Sequence, residues 1–232
     1  MTKLARLAVC SAMIALGACS VAQITVPADL ASAQPLQITG MGFGERGTFA
    51  LASSSGSFYR QALSNRHRDF RTSPERVTSY FGDSGFEVRG PDFGGTVAAA
   101  CTHFEQEVGT RAYSVTTGPF QYRCRFMRDG RPLPTELILH AAPRAVGPLM
   151  AETRIGRLSV GGRQIDIEPI HNSPGLKIPT SEPLGYRFVS AGRNLGAVDL
   201  NGERKTIYAL GAGEDREAVL MASLALSVLW RN

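Results

Sequence analysis

Cysteine is scarce in this chain, with four in 232 residues, and tryptophan scarcer still, with one. Cys10 lies in the first apolar stretch and Cys19 just after it, so only Cys101 and Cys124 are left for the body of the protein. Neither has a C-x-x-C partner or a histidine at ligand spacing on both sides, which argues against a zinc site. The histidines, His67, His103, His140 and His171, show no H-x-x-x-H or H-E-x-x-H spacing. No G-x-S-x-G occurs, so the turn that exposes a hydrolase serine is missing. Gly42-Phe43-Gly44 and Gly211-Ala212-Gly213 are too short for phosphate loops, and Glu214 and Asp215 would repel an anion from the second. No apolar run reaches the ~20 residues that span a bilayer as a helix. Charge of either sign is modest: 25 basic against 20 acidic side chains give +5, far from a nucleic-acid signature. No cofactor is implied.

What the sequence does have begins at its amino end. Lys3 and Arg6 precede an apolar stretch over residues 7–16, followed by Leu16-Gly17-Ala18-Cys19. A charged start, a short apolar centre and small residues at the cut make residues 1–18 a secretory signal peptide. The Leu-Gly-Ala-Cys sequence resembles a bacterial lipobox. That resemblance implies cleavage before Cys19, a diacylglycerol on its thiol and a further acyl chain, palmitate for example, on the new amine. Ser20, which is not Asp, implies sorting to the outer membrane, with the protein facing the periplasm. The other readings are an ordinary cleaved signal with an incidental Cys19, and a retained anchor for which the apolar run is too short.

Residues 19–38 are expected to be a lipidated end and tether, small and polar with Pro27 and Pro35. Residues 39–232 are expected to form one β-rich domain, large enough to bury its own core. In an oxidising compartment the pair Cys101 and Cys124 is most simply a disulfide, worth ~3 kcal/mol in the chain-entropy model.

Short strands are expected over residues 47–52 and 57–62, around Ser53-Ser54-Ser55-Gly56, with another about Val88 and a short helix over 97–107. Arg60, Arg66, Arg68, Arg71 and Arg76, with His67 among them, form the densest basic run. It is either a solvated face or an anion-binding patch. From residue 111 onward, β-branched and aromatic residues alternate between turn signals: Asp129-Gly130, Gly161-Gly162, Ala191-Gly192 and Asn201-Gly202. With a two-residue Gly-Gly loop, Val160 faces Arg163 and Leu158 faces Ile165. Residues 155–162 match residues 195–202 at an offset of 40, and Ile167 falls on Ile207. Two copies suit repeated hairpins in one sheet rather than a solenoid.

Residues 218–230 form a helix with no polar face, interrupted only by Ser223 and Ser227. Such a helix must be surrounded, and thirteen residues at 1.5 Å each give about 20 Å, too short for a bilayer. The expected fold is therefore mainly β: an antiparallel β-barrel or strongly curved meander enclosing a hydrophobic C-terminal helix. Strands of the Leu-Gly-x-Val and Ile-Gly-x-Leu type, tight turns and an apolar terminal helix resemble the tubby C-terminal and phospholipid-scramblase-like barrels over residues 110–232. The resemblance implies strands around a central helix and contact with anionic membrane lipids. It assigns no binding residue. The expected role is non-catalytic: binding an anionic envelope lipid, lipopolysaccharide or glycan, or scaffolding another envelope protein, with no nucleic acid involved. The alternative is a periplasmic hydrolase using Asp166, Glu168 or Asp199 with a histidine.

Overall fold

A computed structural model describes residues 22–42, 44–61, 64–69, 76–110, 114–142, 154–180, 182–202 and 204–229, of which residues 64–69 and 114–116 are described by their backbone alone. The expected signal peptide, Cys19 and Arg71 lie outside these residues. The strands are β1 (Pro35–Thr39), β2 (Arg46–Leu51), β3 (Ser54–Arg60), β4 (Ser64–Asp69), β5 (Arg76–Arg89), β6 (Thr96–Gly109) and β7 (Ser114–Arg128). After them come β8 (Arg131–Ala141), β9 (Arg154–Val160), β10 (Arg163–Ile170), β11 (Gly185–Ser190), β12 (Arg193–Asp199), β13 (Lys205–Ala209) and a helix, α1 (Glu214–Ser227). Neighbours pair antiparallel. β1 bridges β2 and β13, and β3 pairs with β5, so twelve strands close into a barrel. β4 continues past the end of β3 along the same edge of β5.

The barrel encloses α1. Every side chain from Ala218 to Ser227 is buried, and Leu224 and Leu226 are among the most enclosed in the protein. They share one apolar cluster with Phe49, Phe58, Phe86, Phe126 and Phe188 of the wall. Close approach has a specific cause at Gly196, where an added Cβ would sit 2.6 Å from Val219 Cγ1 and 2.5 Å from the Tyr208 carbonyl oxygen. The absent side chain lets the helix lie on β12. Ser227 donates back to the Ser223 carbonyl at 2.7 Å, so its hydroxyl is satisfied inside the core. The first turn is fixed by ion pairs to the wall: Glu217 to Arg128 at 2.5 Å, Arg216 to Asp92 at 3.0 Å, and Asp215 to Arg163.

The hairpin register of β9 and β10 is the expected one, Val160 opposite Arg163 and Leu158 opposite Ile165. Gly161 and Gly162 turn it with φ of +55° and +86°. Cys101 and Cys124 face each other across β6 and β7, with Cα atoms 4.0 Å apart and sulfurs at bonding distance, closing a sequence separation of 23.

Four expectations are corrected. Residues 97–107 are strand, not helix. Ala98, Ala99 and Ala100 favour a helix locally, but β6 is paired on both sides, and Val97, Ala99, Cys101 and His103 alternate into the core. The first hairpin turns at Ala52 and Ser53 rather than at 53–56, because Leu51 pairs with Ser54. Asn201-Gly202 does not make a two-residue loop, since β12 ends at Asp199 and its carboxylate accepts from the Asn201 amide at 3.0 Å. Finally, residues 22–38 are not a free tether. Ile24 and Leu30 pack with Ile170, Leu184 and Ala197 outside the barrel wall, and Pro35–Thr39 is a strand of the barrel.

We expect Gly196→Ala to destabilise the protein by ~2 kcal/mol or more through overpacking against Val219, measured by chemical denaturation. A change within error would show that the helix has room to move.

Candidate functional site

The two ends of the barrel differ. At one, α1 begins among its ion pairs and the strands are joined by tight turns. At the other, α1 ends and β5, β6 and β7 continue well beyond the wall. With β4 they form a four-stranded flap, in which Arg76 pairs with Asp69 on one side and Gly109 on the other. β7 carries Pro119 within this extension. A proline without an N–H is tolerated there because β8 reaches only as far as Gln121.

Where α1 ends, its carbonyls meet donors from the wall. Arg60 is 6% exposed. It donates to the Ser227 carbonyl at 2.8 Å and the Gly42 carbonyl at 2.6 Å, and its guanidinium lies 4.7 Å from the centre of the Phe58 ring. Tyr122 donates to the Ala225 carbonyl at 2.8 Å and lies 3.2 Å from the Ser84 hydroxyl. Burial raises the Tyr122 pKa, which keeps the hydroxyl a neutral donor. A positive group at the negative end of a helix is favourable. Arg60 thus closes the helix as a cap. Lys205 donates to the Met41 carbonyl at 3.3 Å, and burial first, then the Arg60 charge, pull its pKa down to about 8.

The expected basic patch is therefore divided. Arg60 points inward and leaves it. Arg66 and Arg68 sit on β4 opposite Ser79 and Val77, and Arg76 begins β5, half-buried. The alternation of Phe58 and Arg60 along β3 is the sequence signal that could have assigned Arg60 to the interior.

Outside the wall, where the flap departs, lies a groove of about 920 Å³. Phe81 and Phe104, ring centres 5.3 Å apart, stand at one side; Asp83, Thr102, Arg123 and His140 line the remainder. An aromatic platform beside mixed polar groups suits a polar ligand with an apolar face. Asp83 and His140 belong to β5 and β8, three strand spacings apart, or about 14 Å, so they do not form an acid–base pair. The other carboxylates have structural partners. Asp166 meets Arg157 at 3.3 Å, Glu168 meets Arg187 at 2.6 Å, and Asp199 accepts from the Ile24 amide at 3.0 Å. Burial raises the Asp199 pKa against those amide bonds. His103 packs at a tilt against Phe120 with ring centres 4.9 Å apart, His171 Nδ1 lies 2.9 Å from the Thr180 carbonyl oxygen, and His67 lies on β4. Among the described residues no group of three or more His, Cys, Asp or Glu could hold a metal ion.

Arg60→Met strands buried carbonyls and should cost ~3 kcal/mol, lowering the melting temperature by roughly 6–12 °C for a chain of this size; an unchanged melt would remove the cap from the account. Lys205 binds its proton more weakly folded, near 8, than at its ordinary 10.5. The unfolded chain then holds more protons between these values, so this residue's contribution to stability rises with pH across the window. Lys205→Met should melt higher than the parent near neutral pH, with the difference shrinking as pH approaches about 10; a constant difference would contradict the desolvation. Comparison of the chain with protein-family models, curated proteins and solved structures returns no match.

Proposed function

We propose that this chain is a lipoprotein of the bacterial envelope, anchored through Cys19 on the outer membrane and facing the periplasm, and that it binds an anionic lipid, lipopolysaccharide or glycan. One observation carries the reading. The described chain first meets the barrel at Ala22, whose carbonyl accepts from Asn201 at 2.6 Å, at the same end as the flap that bears Arg66, Arg68 and Arg76. Cys19 is three residues earlier, a reach of at most ~10 Å. An anchor there sets the flap towards the bilayer, where each basic side chain contributes ~1 kcal/mol of attraction to an anionic surface. The barrel around its helix also supports the proposed kinship with the tubby-like barrels.

A scaffolding role has its own support. β8 pairs with β7 only as far as Gln121, so among the described residues the flap portion of β7 has no strand on that side, an edge to which a partner strand could add. The hydrolase alternative finds no such support, since Asp166, Glu168 and Asp199 are engaged in ion pairs or backbone bonds on the wall.

Cys19→Ala should release the protein to a soluble fraction or block its maturation, seen by membrane fractionation; unchanged partition would defeat the anchor. Arg66→Gln with Arg68→Gln should weaken binding to anionic vesicles or lipopolysaccharide by roughly thirtyfold at low salt. Binding that ignores both salt and these substitutions would defeat the anionic ligand.

A further inference from the structure

The strands β10 and β11 are joined by a loop, residues 171–184, whose base is tightly held. The Thr180 amide donates to the His171 carbonyl at 2.9 Å, and the Thr180 hydroxyl donates to the Glu182 carbonyl at 2.6 Å. The Leu176 amide returns to the Ser173 carbonyl at 3.1 Å, and Ser173 is buried. Gly175 turns the chain with φ of +86°, and Pro174 and Pro179 flank the tip. The tip itself is Leu176-Lys177-Ile178. Leu176 is 50% exposed and Ile178 is 79% exposed.

Single exposed apolar residues are ordinary, but the distribution here is not. Among the described residues three large apolar side chains are exposed, Phe81, Leu176 and Ile178. Phe81 lies on the flap and the other two on this loop, all at the end of the barrel where α1 finishes. The loop is joined directly to the amino-terminal segment: the Thr25 amide donates to the Asn172 carbonyl at 2.8 Å, six residues after Cys19. A clamped base holding two bare aliphatic side chains outward, with a cation between them, matches the chemistry of a bilayer interface. Aliphatic groups enter the acyl boundary and an ammonium stays at the phosphates.

We infer that residues 174–179 are a membrane-insertion finger: Leu176 and Ile178 enter the lipid beside the anchor, and Lys177 meets anionic headgroups. This rests on the envelope-lipoprotein reading and adds to it a defined orientation, with the carboxyl end of α1 towards the bilayer and the tight turns towards the periplasm. The finger also adds a second hold to the acyl chains, so the barrel is docked rather than free to swing.

The test uses the full processed chain in vesicles of phosphatidylethanolamine and phosphatidylglycerol, with a nitroxide on Ile178→Cys or, at the opposite end, on the exposed Arg193→Cys. Intact mass reports acylation at Cys19, and collision with oxygen against an aqueous nickel chelate reports burial in lipid. We expect the label at position 178 to favour oxygen several-fold over the label at position 193. Equal, aqueous labels on an acylated chain would overturn the finger and leave the anchor standing. A lipid-buried label at position 178 on an unacylated chain would overturn the anchor and support the finger. Protection at position 178 in native envelope membranes but not in lipid vesicles would overturn it in favour of a protein partner.

Discussion

A helix that is apolar on every side is stable in water only when something surrounds it, and in this protein that requirement governs the rest. The wall must close, because an open sheet would leave part of α1 wet. Closure in turn requires a strand between β2 and β13, which is why Pro35–Thr39 joins the barrel instead of hanging as a tether. It also requires a backbone without a side chain where the helix meets β12, at Gly196. Burying ten consecutive helical residues contributes on the order of 10 kcal/mol or more before chain entropy is subtracted.

The two ends of the enclosed helix are electrostatically distinct. Its first turn carries Glu214, Asp215 and Glu217, which suit the positive end of the helix, and Asp215 and Glu217 pair with arginines of the wall. Its last turn has no basic residue of its own. Arg60 reaches in from β3 to supply the charge, at the cost of leaving the surface where a ligand could use it. One of the arginines expected in the basic patch therefore serves stability, which leaves Arg66, Arg68 and Arg76 on the flap for the proposed anionic ligand.

The second half of the fold was more legible than the first, for physical reasons. Gly161-Gly162 and Asp129-Gly130 announce tight turns because few other residues adopt their backbone angles, and the register around them follows at once. The apolar helix declared its own enclosure. In the first half, β6 is long and paired on both sides by β5 and β7, so Ala98, Ala99 and Ala100 follow sheet geometry against their own preference. The flap was invisible because it arises from strands that outrun their neighbours, a property of lengths compared across the chain. The finger at residues 174–179 was passed over because two aliphatic residues in a proline-flanked loop have no period to notice.

Plugging a barrel with a helix that follows its strands in the sequence has a consequence for how the protein is made. The chain is made, and under the proposed export delivered, amino end first, so the thirteen described strands are present before α1. Until the helix arrives, the inner faces of those strands have nothing to pack against, and β1 cannot be sealed to β13 around a core. The nascent protein is thus a long, half-finished sheet with bare edges, the kind of species that sticks to its neighbours. A holdase that shields the open sheet until α1 is present would protect it at its most exposed stage.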